Sequence, residues 1–406
     1  MKTKMNVVAV SHEDDHIDQG ELRTLAGKYA GTCYAEDGYE TIKHQPIVKA
    51  QKRAAGNARR GHHSVFQHSV ISFEVVCSKM ICIILNSMGV SNASEKSARY
   101  TFMTPEQPEV DRIYQKWYKR FRMLIINYVG AGFFTEGELE KMALDQARYM
   151  LSIFTPTSMV YSIPYRNICY LVDWMGQMVD NLAGMQDTWF HRELRQELIS
   201  TIEAFRGAMG EELPFHDNKN EYLHVLPYQA TGEFMHIDHE ILSDVYQVER
   251  KASLACFAHL IRHRTTTNWI NFNGQPGQWG FYEPPLLETP ENRGCGFEKE
   301  WLADINSIAE YCPQGTLVSF VQQGSFDKLI QVTKERLCGR ALLETQNVVA
   351  GILGSFKPEN LSSFNQPLLL DHLDADGHIC ARCKFKDFHC TDGCKWGGDK
   401  ALTRLI

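Results

Sequence analysis

The 406-residue chain lacks any hydrophobic run able to cross a bilayer. Its greasiest stretch, Met80 to Leu85, falls far short of the ~20 apolar residues that a spanning helix needs. The opening MKTKMNVVAVSHEDDH has no apolar core followed by a cleavage site, so no signal peptide is expected and the chain reads as cytoplasmic, without a membrane partner. Excess positive charge is also missing. A net charge of −7 and a pI near 6.2 argue against broad binding of polymeric nucleic acid, while leaving room for a smaller anion where arginines cluster. No Cys–His nucleophile pairing stands out. What is present is globular: 44% hydrophobic and 11% aromatic residues are enough to build cores, and the length suggests two packed units plus a small extra.

Of the twelve cysteines, eight (Cys33, Cys77, Cys82, Cys169, Cys256, Cys295, Cys312, Cys338) are scattered, mostly in apolar context, and read as reduced core residues. The other four crowd into the last 27 residues. The organisation expected is a first unit over 1–205, a second over 206–357, a linker over 358–378 and a cysteine-rich module over 379–406. In the first, Val7–Val10 and the alternating Ser69–Val76 predict strands. Met80–Leu85, residues 136–155 and Tyr165–Asn181 predict helices. In the second, ERKASLACFAHLIRH and the stretch Phe326–Gly351 predict helices, separated by a polar segment and by FYEPPLLE, which cannot continue one.

Three constellations carry possible chemistry. Arg262-His263-Arg264 is a dense donor cluster suited to phosphates or an electron-rich ring. A solvated helix end, where cations meet the dipole, is the favoured reading on composition alone. Glu95-Lys96-Ser97-Ala98-Arg99-Tyr100 offers a hydroxyl, a small residue and a guanidinium, a plausible but common anion cradle. His62, His63 and His68 have no carboxylate beside them in a ligand pattern, so a cofactor hydrogen bond or a polar core position is a better account than metal.

Together these segments resemble the flavin-dependent thymidylate synthases. Gly61-His62-His63-Ser64-Val65-Phe66-Gln67-His68, a strand, and then Ser97-Ala98-Arg99-Tyr100 match that family's order and spacing, with Gln67 in place of the usual Glu. The family's Arg-His-Arg position reads Ser87-Met88-Gly89 here, whereas Arg262-His263-Arg264 supplies the triad in the second section. Conversely, the second section has Phe272-Asn273-Gly274 where Ser-x-Arg belongs. Gln331 and Arg336 match the family's late helix, where the first section has Tyr170 and Met175. Arg148 stands where the family places an arginine for the nucleotide phosphate. The resemblance thus implies a diverged tandem duplication whose copies have lost complementary motifs.

The same resemblance implies an α+β fold of two such units in tandem, each a mixed sheet packed with helices, with a zinc-ribbon-like tail. It implies FAD-dependent C5 methylation of a pyrimidine nucleotide, dUMP first, with methylenetetrahydrofolate and NADPH as cosubstrates. Ser97, Ala98, Arg99 and Arg148 would hold the substrate phosphate, Glu95 would border the nucleotide, and Arg336 would polarise the uracil. Arg262, His263, Arg264, His62, Ser64 and Gln331 would contact FAD. A homodimer of tandem chains would replace the family's tetramer. The alternatives are a related enzyme acting on UMP or a dCMP-type substrate, and a non-catalytic nucleotide- or flavin-binding homologue.

The tail is separate from that resemblance. Cys380-x2-Cys383-x6-Cys390-x3-Cys394 in a polar setting suits structural zinc, with His378 or His389 able to replace a thiolate. A redox thiol pair or a disordered tail are the alternatives. Under the zinc reading, purified protein carries about one zinc per chain by elemental analysis and Cys383→Ser removes it. Metal-free wild-type protein, folded and unchanged by chelator, contradicts it.

Overall fold

The structure is a computed structural model, and it describes residues 2–10, 18–36, 38–209, 213–215, 240–242, 244–272, 277–391 and 394–406. These fall into two compact units, Met1–Lys96 with Pro156–Leu223, and Ser97–Thr155 with His224–Ile406. The division cuts across the linear order: residues 97–155 leave the segment that precedes them and join the C-terminal half.

The first unit is built on a four-stranded antiparallel sheet ordered β1-β2-β4-β3, with β1 Lys4–Val10, β2 Val70–Ser78, β3 Asn92–Glu95 and β4 Pro156–Pro164. Alternation along β2 sends Ile71, Phe73, Val75 and Cys77 into the core, each fully buried. Phe73 meets Phe205 edge to face on the helix Trp189–Met209. The basic stretch after Pro46 is a helix, Ile47–Arg59, packed on the helix Gln19–Gly31. Their approach depends on Gly27, where an added Cβ would stand 1.9 Å from the Ala50 carbonyl oxygen.

The second unit repeats the order. Its sheet runs β5-β6-β8-β7, with β5 Glu240–Leu242, β6 Val245–Ser253, β7 Thr267–Asn271 and β8 Leu317–Ser325, again antiparallel throughout. Both sheets are therefore antiparallel rather than mixed. In each unit a nine-residue strand ends on a serine that caps the next helix: Ser78 Oγ accepts from Ile81 N at 3.3 Å, and Ser253 Oγ from Cys256 N at 3.0 Å. A buried glutamate from a later helix holds each capping serine, Glu197 on Ser78 and Glu344 on Ser253. Counting from those caps, Ser87-Met88-Gly89 and Arg262-His263-Arg264 stand at the same step.

Three helix expectations need correction. Glu249–Ser253 belong to β6, and the helix covers only Leu254–Leu260. Glu249 to Ser253 pair with Val321 to Leu317 of β8, so sheet hydrogen bonds override helical periodicity there. The segment expected as one helix over 326–351 is two, Phe326–Arg336 and Leu343–Leu353, separated by a run containing Gly339. The helix from Glu136, closed at its start by a Thr135–Glu138 capping box, ends at Ala147 rather than near 155. Beyond it a 3-10 turn, Arg148–Met150, leads into a segment that lies beside Cys312 to Gly315, with Gly315 N bonded to Tyr149 O at 2.8 Å and Gln314 N to Leu151 O at 2.7 Å.

Residues 97–155 are held in the second unit by apolar burial. On the helix Pro108–Val129, Trp117 meets Trp301 of the helix Phe297–Ser307 edge to face at 4.9 Å, both fully buried. Trp117 Nε1 donates to Asp304 Oδ2 at 2.7 Å and Lys116 pairs with Glu300 at 2.8 Å. Among the described residues no helix is long and apolar enough to cross a membrane.

The Glu344 carboxylate accepts Ser253 N at 2.7 Å and Ser253 Oγ at 2.5 Å, and burial lifts its pKa to about 7. A folded value above the unfolded 4.5 means its contribution is complete at acid pH and fades as pH rises through 7. The melting-temperature advantage of wild type over Glu344→Gln should therefore shrink between pH 5.5 and 8.5. A gap independent of pH would refute the assignment.

Candidate functional site

The second unit holds five of the arginines singled out in the sequence, Arg99, Arg148, Arg262, Arg264 and Arg336. Ser97 to Thr101 form a turn in which Tyr100 N and Thr101 N both donate to Ser97 O at 3.1 Å and Arg99 N reaches Ser97 Oγ at 3.3 Å. Arg99 Nε lies 2.9 Å from Asp145 Oδ2, and Asp145 is also 3.6 Å from Arg148. Asp145 and Arg148 share one helical face at i, i+3, and both are buried. Arg148 Nη1 approaches His259 Nε2 at 3.1 Å.

His263 comes just after the helix Leu254–Leu260, its N–H closing the turn onto Leu260 O at 2.9 Å. Its imidazole is buried, and Arg336 Nε donates to its Nε2 at 2.6 Å. Burial, then the neighbouring Arg336 and Arg262, drive the His263 pKa down to about 3. A protonated ring could not accept that bond, so geometry and charge agree. The Glu335 carboxylate, 3.8 Å from Nδ1 and largely exposed, does not reverse this. Burial also lowers Arg336, with Arg262 and Arg99 adding repulsion against the help of Glu335. Arg99 and Arg262, far apart in sequence, thus both act electrostatically on Arg336.

The remaining candidates are placed differently. Arg262 and Gln331 are exposed, and Arg264 is half-buried. Asn273 and Gly274, where Ser-x-Arg is lost, lie outside the described residues. In the first unit His62 and Ser64 are exposed, whereas His63 is the buried member of the histidine set. His63 stands 3.0 Å from both Tyr170 Oη and Ala58 O and stacks on Phe215, which makes it a satisfied core histidine. Glu95, also in the first unit, is buried at its side chain against Lys79, with Asn86 3.5 Å away.

In the tail, Cys380 is buried with its thiol on the His372 carbonyl at 3.3 Å, while Cys383 is exposed and Cys390 and Cys394 are half-buried. Burial and the thiols of Cys390, Cys394 and Cys338 push the Cys383 pKa up. Among the described residues, the ligating sets of three within 4.8 Å of one another are Asp374, Asp376, His378 and Glu283, Glu288, Glu298, not the tail cysteines.

Several residues of this arrangement carry no motif. Asp145, His259 and Arg404 are invisible as site residues in the sequence, although the i, i+3 spacing of Asp145 and Arg148 was available there. Arg404 is buried and donates to Ala401 O at 2.7 Å and Ala341 O at 2.6 Å, tying the end of the tail beneath the site. Chemically the arrangement sets guanidiniums against one carboxylate and two imidazoles, donors of the kind that can receive an anion.

Comparison with known proteins places this geometry in context. Residues 18–176 match the family described as thymidylate synthase complementing protein. No curated protein matches the chain. Solved structures similar to it include the flavin-dependent thymidylate synthase ThyX from Helicobacter pylori complexed with FAD and dUMP, 14% identical over 50% of this chain and 93% of that one, TM-score 0.31. Another is a UMP/dUMP methylase PolB from Streptomyces cacaoi bound with 5-Br dUMP, 14% identical over 42% of this chain and 77% of that one, TM-score 0.30.

A depressed His263 pKa has a direct signature. Its ring resonances, assigned by loss in His263→Gln, should not titrate between pH 5 and 8, and a midpoint near 6.5 would contradict the site described.

Proposed function

We propose that this chain, whose residues 18–176 carry the pattern of the thymidylate synthase complementing protein family, is a flavin-dependent C5-methylating enzyme acting on a pyrimidine nucleotide, with dUMP the first candidate. The observation that carries the reading is the convergence in one unit of Ser97–Arg99, Arg148, the Arg262–Arg264 triad and Arg336. Each segment alone is ordinary; together they supply the charge that a nucleotide and a diphosphate-bearing cofactor require.

Ser97, the Ala98 backbone and Arg99 receive the nucleotide phosphate, with Arg148 held behind them by Asp145 and His259. Arg336 faces the uracil. Its Nε is fixed by His263, which sets the plane of the guanidinium fork so that it meets negative charge developing on the ring without first reorganising. His263 stays neutral in this role, accepting a hydrogen bond rather than adding a repelling charge. Arg262 and Arg264 fit the acidic and electron-rich parts of FAD, since the cations around Arg336 already repel one another and gain from an anionic partner. Gln331, His62 and Ser64 are exposed and open to further cofactor contacts. When bound, FAD would carry the hydride, with NADPH and methylenetetrahydrofolate as sources of electrons and carbon. The chain is proposed to act as a homodimer of tandem units. The tail is assigned a structural metal on Cys380, Cys383, Cys390 and Cys394. The matching strand order and serine caps of the two sheets support duplication of one ancestral unit.

Under this reading the purified protein is yellow and releases tritium from C5-labelled dUMP in the presence of reductant and methylene donor. Arg336→Ala and Arg99→Ala should each lower kcat/KM by at least ten- to a hundred-fold, the ~1.5–3 kcal/mol of a lost charged hydrogen bond. A colourless protein that ignores added FAD would overturn the enzyme in favour of a binding homologue. Release from UMP or dCMP instead would move the substrate and keep the reaction.

A further inference from the structure

Cys338 reads in the sequence as one of the scattered core cysteines, yet its surroundings belong to the tail. It follows the helix Phe326–Arg336, and its N–H bonds to Arg336 O at 2.8 Å. Its side chain is buried, and Arg340 N donates to its Sγ at 3.4 Å. A backbone N–H aimed at a cysteine sulfur from two residues on favours the thiolate over the thiol.

The cysteine-rich segment is bonded onto this same turn. Arg382 N donates to Leu337 O at 2.7 Å and Arg382 Nη1 to Lys334 O at 3.3 Å. Cys383 therefore adjoins one member of a backbone-bonded pair and Cys338 adjoins the other. Cys394 is brought in beside them, since a Cβ on Gly339 would lie 3.0 Å from its Sγ. Its neighbours hold it there. Lys395 Nζ donates to Phe133 O and to Glu138 Oε2, both at 2.7 Å, and the buried Trp396 packs on Phe133 and Phe134 with ring centroids at 5.5 and 6.0 Å.

Two further observations bear on the set. After burial, the sulfurs of Cys390, Cys394 and Cys338 are what raise the Cys383 pKa. Arg404 is buried, its Nε has no hydrogen-bond partner, and the thiols of Cys338 and Cys394 both act on its charge. A buried cation beside several thiolates offsets the negative charge that they keep on a divalent ion. Cys380 is used differently. Its buried thiol donates to His372 O at 3.3 Å, and a sulfur that donates its proton is not a thiolate ligand.

We infer that Cys338, Cys383, Cys390 and Cys394 form a tetrathiolate zinc site, with Cys380 a core thiol outside it. The inference rests on the reading that the tail holds a structural metal, and it exchanges one of the four ligands. The ion then staples the tail to the turn that follows Arg336 instead of folding the tail on itself. Among the described residues no three thiols lie within 4.8 Å of one another, so binding also draws the sulfurs together.

The test uses the reduced full chain, with zinc read by elemental analysis and Co²⁺ titrated by absorbance. Expected are about one zinc per chain in wild type and in Cys380→Ser, and loss of that zinc in Cys338→Ser. Because Cys338 is buried, Cys338→His is the companion variant. An imidazole still ligates, but exchanging one thiolate for it weakens the sulfur-to-cobalt charge-transfer absorption and moves the d–d bands to shorter wavelength. An unchanged cobalt spectrum in Cys338→His removes Cys338 from the site. Zinc kept by Cys338→Ser but lost from Cys380→Ser also overturns the exchange, and returns the ion to the four tail cysteines. Wild type that takes up neither ion overturns the site and the tail metal together, and leaves the nucleotide reading standing.

Discussion

The site depends on one hydrogen bond, from the half-buried Arg336 guanidinium to a neutral His263. Burying a guanidinium is costly unless its donors are met, and a neutral imidazole meets one without cancelling the charge. Arg148 also meets an imidazole, that of His259 four residues before His263, with the Asp145 carboxylate 3.6 Å away. A carboxylate in the place of His263 would make a tighter ion pair with Arg336 but would neutralise its positive charge internally. Histidine leaves it for a ligand.

That use of histidine explains the contrast between the two repeated sheets. What both units keep is the scaffold: strand order, nine-residue central strands, capping serines and the glutamates that bind them. Because the Ser–Glu pair recurs where no arginines gather, its raised carboxyl in the second unit belongs to the fold rather than to chemistry. What differs is charge. Ser87-Met88-Gly89 occupies the first unit's equivalent of Arg262-His263-Arg264, and Ser97–Arg99 has left the first unit to join the second.

The individual elements were largely legible in the sequence. Alternation announced β2, and the apolar run Met80–Leu85 announced the helix after it. The complementary motif losses pointed to shared function. What was hidden was the partnership between distant segments. Nothing periodic in residues 108–129 says that Trp117 will pack on Trp301, yet that contact carries Arg99 and Arg148 to the triad. Glu249–Ser253 read as helix because their composition is helical, and only pairing with β8 makes them strand. Asp145, His259 and Lys395 belong to no motif, since their roles are to hold other side chains, which a linear pattern does not record.

The central claim is that one chain assembles the phosphate cradle and the triad within its own second unit. Mixing and co-refolding Arg99→Ala chains with Arg336→Ala chains tests it most directly, by the tritium released from C5-labelled dUMP. The account predicts that the mixture stays as inactive as either variant alone, because every second unit then carries a defect. Recovery of a substantial fraction of wild-type activity would show that the cradle of one chain serves the arginine of another, and would contradict it.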